Sequence, residues 1–148
     1  MTDLLGDVVV DASVGIKLAI SEDYSETVDR LFTGSLLDDS GSILVPDLFF
    51  IECANVLWKV VRRGDYEQGK AADDMAMLQT LRLKITSTRD LTQRALTIAC
   101  QYGVSAYDAC YVALSELTEA PLLTADNRLA QALSAGPFKV MTLQSLEP

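Results

Sequence analysis

The sequence predicts an α/β fold: one three-layer α/β/α domain over residues 1–148, with a mostly parallel sheet of four or five strands between helices. Three observations carry this. Val8-Val9-Val10, Ile43-Leu44-Val45 and Leu122-Leu123-Thr124 have the size and composition of strands buried on both faces. Helix-length segments lie between them, as the crossovers of parallel strands require. With 148 residues, 49% of them hydrophobic and 22% charged, the chain has material for one core and shows no linker long enough to divide it.

The elements follow in order. After the first strand, Asp11 or Ser13 caps a helix running to about Ala19. Ser21 begins a second helix, with Tyr24, Val28, Leu31 and Phe32 on one face. Asp38-Asp39-Ser40-Gly41-Ser42 reads as a turn, and Pro46 stops the strand Ile43-Leu44-Val45. Asp47 to about Arg63 is a long helix, apolar nearly all round in the manner of a buried element, and Gly64 closes it. A helix from Asp65 to about Leu81 leads to a strand at Lys84-Ile85-Thr86. Thr88 or Asp90 opens the next helix, which ends at Tyr102 and Gly103. Ser105 opens another, reaching about Thr118. The strand Leu122-Leu123-Thr124 precedes a short helix from Asp126 to about Ser134. Gly136-Pro137 makes a turn, and Phe138 to Met141 is the last strand.

Composition narrows the chemistry. The chain has no histidine, which removes the Ser-His-Asp and Cys-His triads and every His-based general base. Three cysteines, Cys53, Cys100 and Cys110, fall inside predicted helices without a CxxC, so reduced core thiols are expected and a zinc site is not. No apolar run approaches the length of a membrane span, and the N-terminus carries acids where a signal peptide carries Lys or Arg, so a cytoplasmic protein is expected. Twelve basic against 21 acidic residues, a net charge of −9, argues against coating nucleic acid by bulk attraction. It leaves room for a local site whose acids are neutralised by cations.

Four acids share an address in such a fold. Asp11 and Asp126 lie just past the carboxyl ends of strands, and Glu52 and Asp108 lie in the first turns of helices. In a parallel α/β sheet, strand ends and helix starts line one edge, where ligands bind. Each acid alone has a plain structural reading as a helix cap or a partner of the helix dipole. Together they point further. Glu52, Asn55 and Lys59 form one polar stripe on an otherwise apolar helix, and Asp108, Tyr111 and Ser115 repeat that spacing. Carboxylates beside a core need a counter-charge or a raised pKa. Four carboxylates with the hydroxyls of Ser13 and Thr124 make an all-oxygen set, which selects Mg²⁺ or Mn²⁺ and suits phosphodiester chemistry.

These residues also resemble a known family. Val8-Val9-Val10-Asp11-Ala12-Ser13, the segment from Pro46 to Leu57 with Glu52 and Asn55, Ser105-Ala106-Tyr107-Asp108-Ala109, and Leu122 to Leu129 with Asp126 are similar to the four signature segments of PIN-domain ribonucleases. They occur in the family's order, and the small size resembles VapC-type toxins of toxin–antitoxin pairs. The resemblance implies an endoribonuclease in which Asp11, Glu52, Asp108 and Asp126 bind Mg²⁺ or Mn²⁺, with Asp11 and Asp108 the most direct ligands. Ser13, Asn55 and Thr124 would then play supporting roles, and Arg128 would contact RNA. It also implies a homodimer, for which the helix with Phe49, Phe50 and Trp58, together with the helix after it, is the candidate surface, and a small antitoxin with a basic side chain near the acids. A housekeeping PIN nuclease without an antitoxin, or a non-catalytic PIN-like binding module, is the alternative. A haloacid-dehalogenase-type phosphatase would want an acid at Ser13, and a receiver domain an acidic neighbour for Asp11; neither is present.

Overall fold

Val8, Val9 and Val10 have no solvent exposure, because the strand they form lies at the middle of a sheet covered on both faces. In a computed structural model, described over residues 6–34 and 41–147, the strands are β1 (Val8–Val10), β2 (Ile43–Pro46), β3 (Leu83–Thr86), β4 (Leu122–Thr124) and β5 (Val140–Thr142). Their order is β3-β2-β1-β4-β5, and every neighbouring pair is parallel. The sheet therefore has five strands. Pro46, expected to stop β2, is its last residue, opposite Thr86. Edge strand β3 exposes Lys84 and Ile85, whereas β2 is buried throughout.

The helices are α1 (Ala12–Gly15), α2 (Ser25–Phe32), α3 (Leu48–Arg62), α4 (Gln68–Leu78), α5 (Thr92–Tyr102), α6 (Ala106–Thr118) and α7 (Asn127–Leu133). Single 3₁₀ turns extend α1 through Ile16–Leu18 and precede α5 at Thr88–Leu91. Right-handed crossovers, near-universal for parallel strands, put α1–α4 on one face and α5–α7 on the other. The strand order reverses between β1 and β4, so the carboxyl ends of those two strands mark the switch point where parallel α/β sheets bind ligands.

Several boundaries differ from the sequence reading, each for a physical reason. The second helix starts at Ser25 rather than Ser21, because Tyr24 takes a left-handed conformation, φ 69°. The fourth starts at Gln68: Gly64, at φ 83°, ends α3 with its N–H on Val61 O and the Asp65 N–H on Val60 O, and Glu67 is extended. The last strand starts at Val140, two residues late. Of the turn expected at 38–42, residues 38–40 lie outside the described residues.

The long helix α3 is not buried all round. Phe49, Cys53 and Leu57 form its core stripe, while Ile51 and Trp58 are 65% and 52% exposed. Of the surface expected to form a homodimer, Phe49 is therefore core, Phe50 half-buried and Trp58 exposed. Cys53 and Cys110 are buried free thiols as expected, but Cys100 is exposed. Among the described residues, no helix is long and apolar enough to cross a membrane.

Two contacts aim α3. Its first N–H, on Leu48, donates to Thr88 Oγ1 at 3.0 Å, and the Thr88 N–H donates to Asp47 Oδ1 at 2.8 Å, so the cap comes from the turn after β3. Gly15 of α1 lies against the Phe49 ring so closely that a Cβ there would overlap Cε2 and Cζ. Gly15→Ala is expected to lower stability by about 1–3 kcal/mol through overpacking, measured as a shift in urea midpoint. An unchanged midpoint would show that α1 and α3 can part at no cost.

Candidate active site

The ladder between β1 and β4 runs one residue past the strand, with the Asp11 N–H donating to Leu123 O at 3.4 Å. There the acid turns into α1 and caps it, its Oδ1 accepting from the Val14 N–H at 3.2 Å. Ser13 Oγ donates to Oδ1 and Thr124 Oγ1 to Oδ2, both at 2.5 Å. Asp11 is only 4% exposed.

Asp126 follows β4 and caps α7, its Oδ1 accepting from the N–H groups of Arg128 and Leu129 at 2.9 and 3.2 Å. Asp108 lies in the first turn of α6, where the Ser105 hydroxyl accepts from its N–H at 3.0 Å. Glu52, on the second turn of α3, accepts at Oε1 from the Tyr111 hydroxyl at 2.6 Å. The cap readings and the convergence expected of these acids thus hold together. All four carboxylates line one cavity of about 730 Å³ at the carboxyl edge of the sheet.

Electrostatics follows from this crowding. Burial pushes the Asp11 carboxyl up to about 6, against the pull of its hydrogen bonds from Ser13, Thr124 and Val14, and Asp108 adds repulsion. Glu52 is raised by burial and by Asp108 despite its bond from Tyr111. Asp108 is raised by burial and by Asp126 despite Ser105. No basic side chain is among the causes in any of the three.

The pattern extends across the chain. The PIN domain matches residues 8–133, from β1 through α7. The chain belongs to the PIN-domain family. It is 35% identical over 129 residues to Ribonuclease VapC3 of Pyrobaculum aerophilum, spanning 86% of this chain and 95% of that relative. Its fold is similar to the crystal structure of PAE2754 from the same organism, with TM-score 0.69, 24% identity and coverage of 97% and 95% of the two chains. A toxin–antitoxin complex from Klebsiella pneumoniae aligns with TM-score 0.62, 14% identity and coverage of 92% and 97%.

In this PIN domain two hydroxyls tie the acids to the backbone. Thr124 Oγ1 donates to Asp11 and accepts from the Asp126 N–H at 3.0 Å, so one buried hydroxyl spaces two carboxylates. Ser13 Oγ donates to Asp11 and accepts from the Ala125 N–H at 3.0 Å, joining α1 to the chain leaving β4. Asn55 lines the cavity. Arg128 does not: it is exposed on α7, and the basic side chain at the cavity is Lys59. Ser115 is turned to another task, donating to Ala120 O at 2.5 Å.

Among the described residues no group of three or more His, Cys, Asp or Glu side chains is placed so that it could hold a metal ion. The four acids line a shared cavity instead. The donor set still fits a hard divalent cation: it is all oxygen, and four acids share the cavity lining with one basic side chain, Lys59. Tyr111 is the residue that sequence spacing underweighted. It lies one turn after Asp108 on the same face of α6, yet a phenol in so apolar a helix reads as core.

Proposed function

We propose that this PIN-domain protein is a Mg²⁺- or Mn²⁺-dependent endoribonuclease of the VapC type, the toxin of a toxin–antitoxin pair. The observation that carries the reading is the convergence of Asp11, Glu52, Asp108 and Asp126, from four separate elements, on one cavity with no basic partner for Asp11. The 35%-identical relative named a ribonuclease supports the activity, and the likeness to a toxin–antitoxin complex is consistent with the partner.

Asp11 and Asp108 would hold the cation most directly, and Glu52 and Asp126 would complete the acidic set around it. A divalent cation bound there would supply water activation and offset the charge that builds on the phosphate. Ser13 and Thr124 keep both Asp11 oxygens in a fixed plane, as outer partners of metal carboxylates do. Asn55 sits beside Glu52 to orient water or ribose, and Lys59, rather than Arg128, reaches a phosphate at the cavity. A basic antitoxin side chain entering the same cavity meets four acids in a protein of net charge −9.

Incubation with structured RNA tests the mechanism. Cleavage is expected with Mg²⁺ or Mn²⁺, to fall to background in EDTA, and to return when metal is restored. Cleavage indifferent to EDTA would overturn it.

A further inference from the structure

Glu52 and Asp108 stand on helices from opposite faces of the sheet, and one side chain joins them. Tyr111 is fully buried, leaves α6 one turn after Asp108, and donates its hydroxyl across 59 residues of sequence to Glu52 Oε1 at 2.6 Å. Among the described residues, Glu52 Oε2 has no protein donor. A tyrosine with no exposed surface has few alternative rotamers in a close-packed interior, so its hydroxyl is a fixed point. A carboxylate on a half-exposed helix face has more freedom: α3 leaves Ile51 and Asn55 exposed on either side of Glu52. The bond removes that freedom at one oxygen and directs the other.

We infer that Tyr111 is a positioning residue, which pins Glu52 against Asp108 so that a carboxylate oxygen from each helix reaches the same divalent cation. This rests on the proposed metal-dependent function and goes one step beyond it. Tyr111 touches neither metal nor RNA; it sets the separation of two ligand-bearing helices.

The chain carries its own control. Tyr66 donates its hydroxyl to Asp74, a second and only part-buried tyrosine–carboxylate bond, and neither residue lines the acidic cavity. The readout is direct Mn²⁺ binding, followed by electron paramagnetic resonance of the free ion, with circular dichroism as a fold check. Tyr111→Phe is expected to weaken Mn²⁺ binding by about 10–100-fold, the range for removing an outer partner of a metal ligand. Tyr66→Phe is expected to bind Mn²⁺ as wild type does. In a Glu52→Gln background, Tyr111→Phe is expected to add no further loss, because its effect passes through Glu52.

Wild-type affinity in Tyr111→Phe overturns the inference alone. So does a loss that adds fully to that of Glu52→Gln, or an equal loss in Tyr66→Phe. Failure of the wild-type protein to bind Mn²⁺ overturns the metal-dependent reading itself, and the inference with it.

Discussion

Asp11→Asn is expected to reduce RNA cleavage by at least about 100-fold while making the metal-free protein more stable at neutral pH. The activity loss follows from the role proposed for Asp11 as a direct ligand: removing an outer partner of a metal ligand costs about 10–100-fold, and removing a direct one costs more. The stability gain follows from burial. Asp11 is 4% exposed, and its carboxyl rises from 3.8 to about 6, chiefly through desolvation. Because the folded value lies above the unfolded one, the native state holds a proton that the unfolded chain has already released. The stability this contributes is complete below the unfolded value of 3.8 and is lost as pH rises through about 6. Above that, ionised Asp11 costs on the order of 3 kcal/mol in the absence of a cation. Asparagine keeps the shape and never ionises. In EDTA, the urea midpoint of Asp11→Asn should exceed that of wild type near neutral pH, and the gap should close toward about pH 4. Retained cleavage, or equal midpoints with the same pH slope, would remove Asp11 from the centre of the site.

The same residue explains why so much of the site is legible in the sequence. Asp11, Asp108 and Asp126 are marked by local rules: an acid after a buried strand or in the first turn of a helix. Parallel topology then brings such positions to one edge whatever their separation in sequence. Glu52 is legible because an acid on a helix as apolar as α3 needs a reason. What local rules miss is long-range. Thr88, not Asp47, donates the hydroxyl that accepts the first N–H of α3, a contact across 40 positions. Tyr111 reveals its hydroxyl's role only when α6 is set against α3. Arg128 is two residues from Asp126 in sequence, but its N–H is bound to that acid at the start of α7 and its side chain lies outside the cavity. Lys59 is seven residues from Glu52 and on its helical face, so phase outranks proximity. Apolar composition also overstates burial: one face of α3 leaves Ile51 and Trp58 in solvent.

Saturating Mn²⁺ should reverse the order of stability between wild type and Asp11→Asn. A ligand that binds only the folded state stabilises it by about 4.1 kcal/mol at about 1,000 times its Kd, which exceeds the cost of about 3 kcal/mol that ionised Asp11 carries without it. For a chain of this size that corresponds to a rise in Tm of about 8–16 °C. The rise should be large for wild type and small for Asp11→Asn, so the substitution that stabilises in EDTA destabilises in Mn²⁺. The pH dependence has a definite sign. A cation and a proton compete for Asp11, Glu52 and Asp108, all held above their ordinary values by burial, with Asp108 adding repulsion at Asp11 and Glu52 and Asp126 at Asp108. The Mn²⁺-induced rise should therefore shrink as pH falls through about 6 and be largely gone near pH 4, opposite in trend to the gain of the metal-free protein. Thermal melts of both proteins, with EDTA or Mn²⁺ and across that range, decide it. An equal Mn²⁺ response in wild type and variant would place the cation elsewhere. A response independent of pH would mean that these carboxylates do not hold it, because buried acids that stay ionised without a counter-charge have no energetic reason to wait for one.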